Sequence, residues 1–170
     1  MDTFRNKVAE SGIITLNLEE YIPQEEIVEF DVKDYLFMGL ILKEKDFRES
    51  LKQLDTSIFQ GKIVGVHCSA DAIIPVWAYM LISSLLQPVA ARILMGSKQQ
   101  VTTALILENI QKIDTESYKD SRVVLKGCGE IPIPAEAYLA LTAHLRPVVK
   151  SIMYGEPCST VPVYKRAGNS

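Results

Sequence analysis

The chain predicts an α/β fold: a mainly parallel or mixed sheet covered by helices, with antiparallel strands at its N-terminal end. Three observations carry this reading. Beyond about residue 45, short apolar runs alternate with segments whose apolar residues recur at helical spacing. Glycine or proline punctuates most of the joins. The chain has 170 residues, 48% of them hydrophobic and 23% charged, which suits one globular domain with a sizeable core. Strand and helix in alternation favour parallel pairing, because a helix is the usual crossover between parallel strands.

The elements follow in order. Residues 1–12 are polar and read as an arm. "IITLNL" (13–18) alternates as a strand between Gly12 and Pro23. "EIVEFDV" (26–32) and "YLFMGLIL" (35–42) read as extended, forming a hairpin or a bent strand. In "KDFRESLKQLDTSI", Phe47, Leu51, Leu54 and Ile58 fall on one helical face, with Asp46 placed to cap and Gly61 to end it. "KIVGV" (62–66) is a strand running into His67 and Cys68. A helix over 72–87 then takes Asp71 as its cap, with Pro75 tolerated near the first turn. "ARILMG" (91–96) is a strand. Ser97 and Gln100 have the spacing of a capping box and open a helix over 98–113. "SRVVLKGCG" (121–129) is a strand, Pro134 opens a helix that stops at Pro147, and "KSIMYG" (150–155) is the last strand. The segment 164–170 reads as a loose tail. No internal repeat or low-complexity tract is read along the chain, and 1–170 is taken as a single domain.

Charge and hydropathy narrow the partners. A net charge of −3 without a clustered basic face argues against nucleic acid. The most apolar stretch, 72–86, falls short of the about 20 residues that span a bilayer. The start lacks the apolar segment of a secretory leader, so the expected compartment is the cytoplasm. The chain's 3 cysteines are an odd number and make no closed disulfide framework.

Those cysteines are the main functional signal. In an open parallel sheet, ligands bind outside the carboxyl ends of the strands. On the element order above, Cys68, Cys128 and Cys158 each follow a strand and meet at one edge of a single sheet. Asp71, Glu130 and Glu156 lie within three residues of a cysteine. Their carboxylates oppose a bare thiolate and suit a cation, so the site is read as metal-binding. Its candidate ligands are Cys68, Cys128, Cys158, His67, Asp71 and Glu156, and zinc or an iron–sulfur cluster is the expected occupant. Against this stand the lack of a C-x-x-C pair and the ordinary role of free cysteine as a small packed hydrophobe. Gly96 and Ser97, ahead of a helix, are the candidate cofactor-binding residues, as an anion site at a helix N-terminus. His144, Trp77 and Tyr79 read as structural.

Two segments, "CSADAIIPVWAYML" and "GCGEIPIPAEAYLALTAHLRPVVKSIMYGEPCSTVPVYK", together with "NKVAESGIITLNLEEY" and "ILKEKDFRESL", resemble a bacterial family described as domain of unknown function DUF2480. The resemblance covers nearly the whole chain and implies no established activity or catalytic residue. It implies a gene neighbourhood shared with the sulfur-mobilisation system, and hence iron–sulfur assembly proteins as partners. The layout of strands, helix, "KIVGV", "CSAD" and apolar helix also resembles STAS-like domains, which bind proteins or small ligands; the phosphorylation of a serine in those domains is not carried over to Ser69. Two readings follow. One is a cytoplasmic accessory protein of iron–sulfur or sulfur metabolism that holds a metal or cluster. The other is a non-catalytic binding module, a homo-oligomer among its forms, in which the cysteines pack. Neither assigns turnover.

Overall fold

A computed structural model describes residues 6–8, 12–127, 129–156 and 158–168. The fold is mixed α/β with strands in two sheets rather than one. The chain divides into two compact units: Met1–Ile22 with Thr103–Ser170, and Pro23–Thr102.

The first unit holds β1 (Asn6–Val8), β2 (Ile13–Asn17), β6 (Arg122–Lys126), β7 (Ser151–Glu156) and β8 (Ser159–Lys165) in the order β1-β2-β6-β7-β8. Its three central strands are parallel, and β1 and β8 close the two edges antiparallel. The register sets Ile14, Val123 and Ile152 in one row across the sheet. Ile106 and Ile110 of α3 (Lys98–Gln111) and Ala137, Leu141 and Leu145 of α4 (Ala135–Leu145) pack on that face.

The second unit holds β3 (Ile27–Asp31), β4 (Ile63–His67) and β5 (Arg92–Met95) in the order β3-β4-β5, all parallel. Val28, Val64 and Ile93 share a row, and Phe30 lies beside Val66 in the next. Phe47 and Leu51 of α1 (Glu44–Lys52) and Ala78, Ile82 and Leu86 of α2 (Val76–Leu86) complete its core.

The two units repeat one plan, contrary to the reading of a chain without repeats. Residues 44–96 match 103–155 at a constant spacing of 59, as from Gly96 to Gly155. Asp55 and Asp114 accept from the amides two residues on, each starting a 3₁₀ turn. Gly61 at φ 69° answers Asp120 at φ 57°, and their amides donate to Val89 O (2.9 Å) and Val148 O (2.8 Å). Pro75 and Pro134 stand at the N-caps of α2 and α4, and Ala78 and Ala137, Tyr79 and Tyr138, and Pro88 and Pro147 recur in step. The first strands match at a spacing of 14. Ile27 lies beside Ile63, as Ile13 lies beside Arg122, and Asp31 and Asn17 cap equivalent 3₁₀ turns. The repeat escapes a simple scan because its first strand is displaced: β2 completes the later copy although it precedes the whole of the earlier one.

Several expected elements are corrected. Residues 35–42 form no strand: a 3₁₀ turn over Val32–Tyr35 leads to one isolated bridge, Phe37 with Ile41. The strand β3 pairs parallel with β4 and makes no hairpin. The second helix starts at Val76, because the residue before a proline resists helical geometry and Pro75 becomes the N-cap. Asp71 therefore caps nothing there. Nor does Asp46 cap α1, whose N-cap is Lys43. The tail expected to be loose is in β8 as far as Lys165, and Arg166 donates to Asp120 Oδ1, Val148 O and Val149 O.

Candidate functional site

The best-built polar cluster lies at the carboxyl ends of β3, β4 and β5, where a parallel sheet presents its ligand-binding edge. Strand alternation puts Glu29 and Asp31 on one face of β3, two residues apart. Their register partners on β4 are Gly65 and His67. Glu29 Oε2 lies 3.2 Å from His67 Nε2, and Oε1 accepts the Lys98 amide at 2.6 Å. Asp31 Oδ1 accepts the amides of Lys33 and Ser69, both at 3.0 Å, and Oδ2 accepts the Ser69 hydroxyl at 2.5 Å.

Both carboxyls are held below the usual carboxylate range. For Glu29 the leading cause is the Lys98 amide, followed by an opposing burial effect and then His67. For Asp31 burial pushes up most strongly, but the Ser69 hydroxyl and amide, the Lys33 amide and His67 together outweigh it. A carboxylate so stabilised is a weak base. The Ser69 hydroxyl is therefore tied down rather than activated.

The predicted anion site at Gly96 and Ser97 is already filled from within. Ser97 Oγ accepts the Gln100 amide at 3.3 Å and Gln100 Oε1 accepts the Ser97 amide at 2.9 Å, which completes the capping box. The next amide, Lys98, takes Glu29, so the chain's own carboxylate neutralises the positive end of α3. Sequence reading missed Glu29 and Asp31. Their signal was an acid at each of two alternate positions ending an apolar strand.

The six metal candidates are spread over both units. His67 is held by Glu29 as above. Cys68 is half-buried, packs against the apolar core of its unit, and points its thiol at Ala70 O over 3.6 Å. Asp71 is exposed in the loop before α2. Glu156 ends β7 with Lys126 Nζ at 3.5 Å, and Cys158 is exposed between β7 and β8. Cys128 lies outside the described residues. Cys68 thus follows a strand of the three-stranded sheet, whereas Cys158 belongs to the five-stranded one. The single sheet edge that was to gather the cysteines is replaced by two sheets. Among the described residues, no three His, Cys, Asp or Glu side chains are grouped as a metal site.

The internal copy explains Cys68. Its counterpart is Gly127, where a Cβ would come within 2.2 Å of Tyr138 Oη. Tyr79, the counterpart of Tyr138, packs against the same apolar core as Cys68, and its hydroxyl is pushed up by burial first and by Cys68 second. Position 127 is a glycine under a tyrosine in one copy, and its counterpart at position 68 carries a small side chain packed on the core of the other.

The second unit also carries an apolar knuckle. Leu40 N donates to Phe37 O at 3.1 Å, while Phe37 and Ile41 exchange amides at 2.7 and 3.2 Å. The turn puts Met38 at φ 52° and Gly39 at φ 70°, the two positive values of a type I′ turn. Phe37, Met38, Leu40 and Ile41 are 47%, 79%, 63% and 58% exposed. Lys43 Nζ stands 3.5 Å over the Phe37 ring.

No helix among the described residues is long and apolar enough to cross a membrane. Neither the curated proteins nor the solved structures include a match to this chain. The model of one family, described as protein of unknown function (DUF2480), matches residues 2–166, nearly the full length, and the chain belongs to that family.

Proposed function

We propose that this protein is a non-catalytic binding module whose working surface is the knuckle Phe37–Ile41, and that its partner is another protein. The observation that carries this reading is the turn itself. Four large apolar side chains stand in solvent on five successive residues, and Met38, a residue with no intrinsic liking for positive φ, is held at 52°. Strain and apolar exposure at one place mark function more often than packing. Lysines 33 and 43 alternate with Asp34 and Glu44 around the turn, so it lacks the basic cluster that would favour an anionic lipid surface.

The polar cluster supports the same reading, since its carboxylates, hydroxyl and helix end are satisfied by one another. The packing of Cys68 against the core supports a structural role for that thiol.

A photo-crosslinking residue at position 40, in protein expressed in its native host, tests the proposal. It should give a discrete heavier adduct that Ile41→Asp abolishes and that the same probe at exposed Glu49 does not form. Absence of an adduct, or one insensitive to Ile41→Asp, overturns it. Metal and acid-labile sulfide content of protein purified without oxygen tests the rival reading built on Cys68, Cys128 and Cys158. Stoichiometric metal lost with Cys68→Ser would replace the binding module by a metal protein.

A further inference from the structure

From the mismatch between the two copies we infer that the outer edge of β5 is a dimerisation edge, which a second copy of this chain covers by pairing its own β5 antiparallel. In the first unit the strand equivalent to β5 is β7, and β8 runs antiparallel along it from Ser159 to Lys165. Among the described residues, β5 pairs only with β4. The groove beside it is the same in both copies. Val66, Tyr79, Ser83 and Ile93 line it in the second unit, and Leu125, Tyr138, Thr142 and Ile152 take those places in the first, where Val163 of β8 closes its rim. The chain thus shows on itself what this surface accepts: an antiparallel strand.

The two outer edges of the second unit differ. On β3, Glu29 and Asp31 are charges of the kind that blunt an edge against further pairing. On β5, Ile93, Leu94 and Met95 follow a single charge, Arg92, at the strand's start. Beside β5, Met95 and Met80 are 64% and 66% exposed, and Val76, one turn before Met80 on α2, is 75% exposed.

A lone strand does not cover such a helix face. Leu139, the counterpart of Met80, stays 75% exposed with β8 in place. An occupant that brings strand and helix together does cover it. A twofold axis normal to the sheet makes β5 and its mate antiparallel and keeps both α2 helices on one face of a six-stranded sheet. That sets Val76 and Met80 of one copy against those of the other. Register about the centre of Arg92–Met95 places Arg92 opposite Met95 of the second copy, so the like charges are kept apart.

Sedimentation velocity on the full chain, from micromolar to millimolar loading, tests this. The expected result is a concentration-dependent doubling of mass. Met80→Lys and Met95→Lys, both at exposed positions that leave the fold intact by circular dichroism, should each weaken dimerisation at least tenfold. Leu139→Lys, the same change in the other copy, should leave it within twofold. A monomer at every concentration overturns the inference. So does a dimer indifferent to Met80→Lys and Met95→Lys, or one broken by Leu139→Lys instead.

Discussion

The corner where β4, β5 and the start of α3 meet has no room for a methyl group at Gly65. A Cβ built there lies 2.6 Å from the Gly96 carbonyl oxygen and 3.1 Å from Val101 Cγ2. Carbon and oxygen approach comfortably to about 3.3 Å, so Gly65→Ala asks this corner to open by about 0.7 Å. Neither neighbour yields readily. The Gly96 amide donates to Val66 O at 2.9 Å, and Val101 is fully buried with its amide on Ser97 O at 2.9 Å. Overpacking of this sort costs about 1–3 kcal/mol. The restricted unfolded chain of an alanine returns about 0.4–1 kcal/mol, leaving a net loss of about 1–2 kcal/mol. With a urea slope of about 2 kcal/mol per molar, the unfolding midpoint should fall by about 0.5–1 M. A midpoint that is unchanged or raised would refute the claim that Gly96 and Ser97 serve as a packed structural corner. The matching position in the other copy is Val124, also fully buried. There the opposite change, Val124→Ala, should cost about 2 kcal/mol by leaving a cavity.

Other outcomes follow from the same geometry. Glu29 and Asp31 have lowered values in the folded chain, so their contribution is present above the unfolded carboxylate range near about pH 4 and is lost as pH falls through the folded values. Thermal melts between pH 6 and pH 3 should show Glu29→Gln flattening this acid limb; an unaltered limb would mean the Lys98 and His67 contacts carry no linkage. Asp55→Ala and Asp114→Ala each remove the cap of a 3₁₀ turn and should each lower the melting temperature, the two losses adding in the double variant because they lie in separate copies. Timed alkylation read by mass spectrometry should label Cys158 well before Cys68, and Cys68→Ala should lower stability by about 1 kcal/mol. Equal labelling rates would place Cys68 outside the core contact described.

Most of the α/β order was legible because period and punctuation agreed. The strand at 62–66, the capping box at Ser97 and the proline-bounded helix before Pro147 all lie where spacing put them. What failed were features fixed by long-range pairing. The segment 35–42 has the composition of a strand, but among the described residues no neighbour offers it a ladder, and it folds back on itself through Phe37 and Ile41. The number of sheets was equally hidden. Alternation of strand and helix says that strands are parallel, not which strands are neighbours, and the cysteine site rested on that second, unread fact. Glu29 and Asp31 were passed over because a lone acid in a strand looks like solvent-facing alternation until its register partner is known to be His67 or its loop partner Ser69.

The internal copy supplies a way to separate scaffold from site that neither sequence pattern nor geometry gives alone. Positions that recur in both units, among them Asp55 and Asp114, Pro75 and Pro134, Tyr79 and Tyr138, and Gly96 and Gly155, are accounted for by the plan that the two copies share. Where the copies part, the constraint differs. Glu29 answers to Thr15, His67 to Lys126, Ser69 to Cys128 and Cys68 to Gly127. No cysteine recurs, so the fold needs none at these places. The same comparison sets the exposed surfaces apart. The knuckle at 37–41 has no counterpart after Ile22, where the chain instead reads Pro23–Glu26, and among the described residues β5 lacks the strand that shields β7. Both departures leave apolar groups in solvent on the same unit. A single unpaired edge would be a liability that selection blunts with charge, as it has on β3. An apolar turn held in strained geometry and an unblunted edge, found together on one copy while the other is closed at both sides, are the two surfaces on which the proposed contacts rest.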